Sequence, residues 1–343
     1  MTIVDPEWDA HLERFPEATF YHTRIWARIL AAAFPDVRDE SHWIEVGNAR
    51  AALPLHTWRR LRGLLATCQS SFPFLYGGPV PRRVGRHDLL AETLTALPQG
   101  RRSLVIVSNP FAPGEIRAPK GISIENDSTH LLRLPARYED YWDGVLTMAK
   151  RSDMRRLAKK GVSVRVGRTR EEVAVIYGFY RRSFARWGAE PSIVYPESLY
   201  QAMLDLGEER VRLYIAEHEE RIIGGTFVIR WNRHVHYHAG YFDHEARSLR
   251  PNILLQERII RDAIADGFHD YDFLPSGGNP GVEDFKESFG GQRTLIQRYG
   301  YRAPLHELLH LLRGRFFHTW GRAAKLRRSP PQLNRQAVRC TRS

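Results

Sequence analysis

Cysteine is scarce: two in 343 residues, Cys68 and Cys340, far apart along the chain. That excludes a disulfide-built scaffold and fits a reducing compartment. No stretch approaches the ~20 consecutive apolar residues that a membrane-crossing helix needs. The opening MTIVDPEWDAHLERFP lacks the basic start and apolar run of a secretory signal. The expectation is a cytoplasmic protein whose membrane contact, if any, is peripheral. Acids are missing after Glu307, whereas nine Lys or Arg lie between Arg313 and Ser343.

Hydrophobic residues make up 43% and charged residues 26%, enough apolar material for packed cores and too much for wholesale disorder. The length suits two modest domains. Net charge is +12, of which the last 31 residues supply +9, leaving +3 on the preceding 312. Such a tail seeks phosphate on an anionic membrane or a nucleic acid.

The hydrophobic pattern predicts a helix over 7–33, a hairpin over 43–55 with its turn at Gly47-Asn48, an apolar loop at Ser71–Pro79, a helix over 87–97, and strands at 103–107 and 130–134. Beyond Pro135 the order starts again. A basic helix over 138–160 precedes a strand at 162–166, helices at 171–187 and 196–206, a hairpin over 212–230, and a strand at 234–241. A helix over 252–266, a strand at 270–273, a short helix over 282–288 and a strand at 294–299 follow. The repeated order suggests a duplicated α/β unit. The divisions expected are 1–137, 138–302 and a basic amphipathic segment, 303–343.

Three stretches carry a resemblance: the basic helix Lys150-Arg151-Ser152-Asp153-Met154-Arg155-Arg156-Leu157-Ala158-Lys159-Lys160, the helix opening Leu249-Arg250-Pro251-Asn252-Ile253, and Tyr271-Asp272-Phe273 leading to Phe285-Lys286-Glu287-Ser288-Phe289-Gly290. With the Gly77-Gly78-Pro79 loop, they resemble the FemAB-like branch of the GNAT acyltransferase superfamily over roughly residues 15–300. The resemblance implies an α/β (α+β) fold of two tandem GNAT-like domains, with mixed, mostly antiparallel sheets flanked by helices. It implies transfer of an aminoacyl or acyl group to an amine, with aminoacyl-tRNA or acetyl-CoA as donor and a phosphate-containing cell-envelope precursor as acceptor. No permanently bound cofactor and no metal are expected. Ser248–Asn252 has no glycine, which departs from the glycine-rich pyrophosphate turn of acetyl-CoA enzymes.

Individual residues carry two readings each. Arg151, Arg155 and Lys159 share one helical face and suit a diphosphate, or form a solvated surface. Arg250 and Asn252 at a helix start are further phosphate candidates. Lys286 supplies a cation for a tetrahedral oxyanion or a substrate anion, or pairs with Glu283 or Glu287. Asp272, at a strand end, is a general base or the cap of a turn. His236 and Tyr237, in the run His234-Val235-His236-Tyr237-His238, and Phe285 are placed toward substrate. The run is more readily a hydrogen-bonded trio than a zinc site. His306-Glu307-Leu308-Leu309-His310 matches H-E-x-x-H, but His318, the next histidine, is ~12 Å along the same helix and cannot converge on one metal. An acetyl-CoA-dependent N-acetyltransferase and a non-catalytic nucleic-acid or phosphate-binding protein are the competing classes.

Overall fold

The computed structural model describes residues 6–60, 65–73, 75–97, 102–114, 116, 119–187 and 194–308. The tail from Arg313 and the second histidine of the H-E-x-x-H match lie outside them.

The first half runs α1 (Pro6–Leu12), α2 (Arg24–Ala33), β1 (Val37–Asp39), the hairpin β2 (His42–Val46) and β3 (Ala49–Leu53), β4 (His56–Arg60), β5 (Leu65–Ser70), the small hairpin β6 (Arg83–Val84) and β7 (His87–Asp88), α3 (Leu89–Ala96), β8 (Arg102–Val107) and β9 (Ser123–Arg133). The second runs α4 (Tyr138–Gly144), α5 (Met148–Ala158), β10 (Ser163–Gly167), α6 (Arg170–Trp187), α7 (Glu197–Leu206), β11 (Val211–His218), β12 (Arg221–Trp231), β13 (His234–Phe242), α8 (Pro251–Ala265), β14 (Asp270–Asp272), α9 (Pro280–Glu287) and β15 (Gln292–Tyr301).

Two expected helices are each divided, and the sequence shows why. Over 7–33, Pro16 falls between α1 and α2, and Thr23 starts the second helix by accepting from the Trp26 N–H. Over 138–160, Thr147 does the same for α5 by accepting from the Lys150 N–H. The strands β4 and β5 were hidden by polar residues such as Thr57, Thr67 and Gln69 on a sheet buried on both faces.

Eleven strands form one sheet in the order β1-β4-β5-β8-β15-β9-β14-β13-β12-β11-β10. A connection pattern recurs in it. In the first half β4 and β5 are antiparallel and β5 runs parallel to β8, with α3 between them in sequence. In the second half β12 and β13 are antiparallel and β13 runs parallel to β14, with α8 between them. The strand that closes each half then crosses over: β9 pairs with β14, and β15 with β8. β9 and β15 join at the centre, from Gln292 opposite Leu131 to Gly300 opposite Ser123. The division expected at 137 thus falls after a strand seated among second-half strands.

Apolar residues of both halves meet on one face of the sheet, where Trp8, Tyr21, Trp26 and Phe72 share a core with Val173, Ile176, Tyr200 and Met203. On the other face α8 buries Ile253, Leu255, Ile259 and Ile260 against Tyr271, Phe273 and Leu132. Each such side chain contributes about 1.5–3 kcal/mol relative to exposure. A smaller cluster of Leu53, Leu90, Leu104 and Tyr299 lies under α3.

Candidate active site

β13 and β14 pair over only three residues, His234–His236 opposite Asp270–Asp272. Beyond that point β13 continues to Phe242, while the chain after Asp272 leaves the sheet for α9. The two strands fork. Loops at the carboxyl ends of parallel strands are where open α/β sheets gather ligands.

Asp272 sits at the apex of the fork and is fully buried. One carboxylate oxygen accepts from Thr129 Oγ1 (2.7 Å), Tyr76 Oη (3.2 Å) and the Leu274 N–H (2.9 Å). The other lies 2.9 Å from His236 Nδ1. The donors come from both halves of the chain, so the carboxylate ties the first half to the fork. Tyr76 reaches it from the Gly77-Gly78-Pro79 loop. A Cβ on Gly77 would stand 2.2 Å from the Ser70 carbonyl oxygen, so no side chain fits there.

Lys286, 2% exposed, projects from α9 and donates to the Leu274 carbonyl at 2.5 Å. Burial pulls its ammonium down to about 8, opposed by the charges of Asp272, Glu283 and Asp127. Leu274 is therefore held at both ends, its N–H by Asp272 and its carbonyl by Lys286. It takes a left-handed backbone (φ 56°), which is costly for a residue with a Cβ. Gly290 closes the motif after α9 with φ 88°, and a Cβ there would meet Val145 at 2.2 Å.

The histidine run is hydrogen-bonded, each ring to a different partner. His234 stacks on Phe111 at 3.6 Å and reaches the Pro16 carbonyl, and His238 lies 3.2 Å from Tyr21 Oη. His236 is fully buried, and burial lowers its pKa against the raising effect of Asp272. Tyr237 points to the opposite face, where Gln256 bridges it to Tyr271. Among the described residues no group of three or more His, Cys, Asp or Glu is arranged to hold a metal ion. His306 bonds Ser103 at 2.6 Å and Glu307 pairs with Arg302 at 3.0 Å.

The start of α8 forms a second cluster. Arg250, its N-cap, has a left-handed backbone (φ 48°) and makes no capping bond, and Pro251 opens the helix. Arg250 pairs with Asp153, and Lys160 donates to the Ser248 carbonyl at 2.7 Å. Lys150 lies 4.7 Å over the Phe289 ring, its pKa lowered by burial and then by the Arg250 charge. Phe289 in turn packs on Phe285 at 5.1 Å. Asn252 is half-buried in the first turn. The polar groups beside the α8 start are thus Lys150 and Asp153 of α5 and Lys160 just beyond it, while Met154 and Leu157 of α5 pack into the core with α8. Arg151 is turned to Asp143 (2.6 Å), Arg155 lies 5.5 Å over Trp142, and Lys159 is exposed at the helix end.

The matching helix start in the first half is closed. Asp88 caps α3, and its carboxylate is held by Arg82 at 2.9 Å. The α3 start already holds a carboxylate of the chain on its N–H groups; the α8 start has no side-chain cap, and its nearby carboxylate, Asp153, pairs with Arg250 instead. Anions favour such helix starts.

Tyr76, Thr129 and Tyr21, which complete the fork, carry no motif of their own. Thr129 sits in the polar, buried run Ser128-Thr129-His130, which carries no alternation to mark its face.

Residues 149–287 match the family model of the acetyltransferase (GNAT) domain. That stretch runs from α5 through α9 and takes in the fork and the α8 start. In fold the chain is similar to the solved structure of FemX, which superposes with a TM-score of 0.63 at 12% identity, covering 91% of this chain and 98% of that one. The C-terminal domain of a putative lysylphosphatidylglycerol synthetase from Agrobacterium fabrum gives 0.52 at 10% identity, covering 89% and 94%. A conserved protein of unknown function from Bacteroides thetaiotaomicron also gives 0.52, at 11% identity, covering 82% and 98%. No curated protein matches the sequence.

Proposed function

We propose that this chain transfers an aminoacyl or acyl group from a phosphate-bearing donor to an amine of a cell-envelope precursor, and that its halves are two GNAT-like units of which only the second is catalytic. The observation that carries this is the buried Lys286 ammonium at the fork, held by the Leu274 carbonyl beside Asp272. Amine attack on an ester or thioester puts negative charge on the carbonyl oxygen. A fixed cation in a shielded site stabilises that charge far more than one in water. Asp272, with four donors on its two oxygens, holds Lys286 and Leu274 in place.

The α8 start, with Arg250, Asn252, Lys150 and Lys160, is the proposed phosphate-binding end. It serves acetyl-CoA and the 3′ end of a charged tRNA alike. The match to the acetyltransferase model favours the first donor. The fold of FemX and of a putative lysylphosphatidylglycerol synthetase domain favours an envelope acceptor. The basic segment from Arg313 would bring the enzyme to an anionic membrane, where lipid-linked precursors reside. No described helix is long and apolar enough to cross one.

The test is a mass-spectrometric transfer assay pairing acetyl-CoA or charged tRNA with amine-bearing UDP-muramyl peptides. A mass increase on the amine is expected, abolished in Lys286→Ala. A fully active Lys286→Ala protein would end the assignment.

A further inference from the structure

We propose that Asp127, on β9, receives the acceptor's ammonium group and takes its proton as the new amide bond forms. The inference rests on the transferase reading above and supplies the base that reading lacks. Asp272 cannot serve, because four donors already occupy its two oxygens and it has no exposed surface.

Asp127 lies on the same wall of the fork. Asp272 is opposite Leu131 in the last rung between β14 and β9. Side chains two apart on a strand share a face, so Leu131, Thr129 and Asp127 line up on the Asp272 side. The Thr129 hydroxyl bond to Asp272 confirms that face. Asp127 is one repeat further out, about 7 Å beyond Thr129. Past the Leu131 rung only the Phe273 N–H still bonds β9, at the His130 carbonyl, and among the described residues no strand pairs with β9 on its fork side beyond that point.

The carboxylate is available. Asp127 is half-buried rather than sealed, and one oxygen accepts from the Ser128 N–H at 2.7 Å. The other makes no hydrogen bond or ion pair among the described residues. The Lys286 ammonium feels the Asp127 charge, which places an anion for the amine beside a cation for the carbonyl oxygen. Glu283 on α9 adds negative charge at the same lysine. This rim favours an aliphatic primary ammonium over an anionic or neutral nucleophile.

The step balances within the reactants named. The bound ammonium first gives one proton to Asp127, which passes it to solvent, and this frees the nitrogen lone pair; the amine nitrogen then bonds to the carbonyl carbon of the donor ester or thioester, and the N–H of that adduct passes its proton to Asp127. Collapse of the tetrahedral intermediate breaks the C–O or C–S bond. The departing oxygen or sulfur leaves with that electron pair and takes the proton back.

The experiment measures transfer to amine-bearing UDP-muramyl peptide, with acetyl-CoA and with charged tRNA, for the wild type and for Asp127→Asn, Asp127→Glu and Lys286→Ala. Removal of a general base costs about 100-fold or more in rate. Asp127→Asn is expected to lose at least that in kcat, with the wild-type melting temperature. Asp127→Glu should recover part of the lost rate. A wild type that transfers while Asp127→Asn stays within twofold overturns the role of Asp127 and leaves the transferase reading intact. A wild type inert with both donors overturns that reading and this proposal with it.

Discussion

His236 Nδ1 lies 2.9 Å from Asp272 Oδ2, and neither side chain has any exposed surface. With Lys286 on the far side of Leu274, a buried anion is shared between a neutral imidazole and an ammonium. Removing one member of a buried charge pair leaves the other uncompensated, at about 3–5 kcal/mol when the charge is lost outright. Asp272→Asn keeps the shape and loses the charge. It is expected to lower the melting temperature by several degrees. Because the Asp272 charge raises the Lys286 pKa, the same variant should move the alkaline limb of activity to lower pH. An unchanged melting temperature and alkaline limb would show that Asp272 supports neither the fold nor the Lys286 ammonium.

Lys286 sets that alkaline limb. Its ammonium is present below about 8 and lost above it, so turnover is expected to decline as pH rises through 8. Stability runs the other way. Between about 8 and the ordinary lysine value near 10.4 the unfolded chain holds a proton that the folded chain has shed, so folding gains from this group as pH rises across that window. Lys286→Arg stays charged throughout, and if the cation alone matters its activity should persist above pH 9. Rate–pH profiles of the two proteins decide this.

Acid acts through a different residue. His22 is buried, and burial pulls its imidazole down to about 4. An unfolded histidine titrates near 6.5. From about 6.5 down to 4 the unfolded state binds a proton that the folded state does not, so stability falls with acidification across that interval. The buried His236 acts in the same direction. Thermal melts between pH 7 and pH 4.5 should show a steady decline, and His22→Gln should flatten part of it.

Much of this fold was legible and some was not, for a physical reason. Period-2 patterning located β11 to β13, and helical spacing located α6, α7 and α8, because each has one apolar face. β9 was seen only at its apolar end, since residues 123–127 are exposed or half-buried on both sides and carry no alternation. Strand exchange between the halves was invisible, as pairing partners are a long-range property. At the site, Lys286 and Asp272 were named from their motif. Tyr76 and Thr129 were not, because a hydroxyl donating to a buried carboxylate has no sequence signature. Arg151 and Arg155 show the converse: a clean i, i+4 stripe, with Asp143 and Trp142 of the neighbouring helix standing beside it.

The contrast between the two helix starts yields the last expectation. Asp88 occupies the start of α3 and bonds the Ala91 N–H, whereas Arg250 leaves the start of α8 without a side-chain cap. A donor phosphate placed at α8 would gain the helix N–H groups and the Arg250 guanidinium, which is at present shared with Asp153. Arg250→Ala should therefore raise the donor KM about tenfold or more with little effect on kcat, since the lost contact is made equally in the ground and transition states. Asp153→Asn releases the guanidinium and should lower the donor KM. Acetyl-CoA should also raise the melting temperature of the wild type and not that of Arg250→Ala, because stabilisation tracks what the folded state binds. Equal shifts in both proteins would place the donor phosphates elsewhere, away from the uncapped helix.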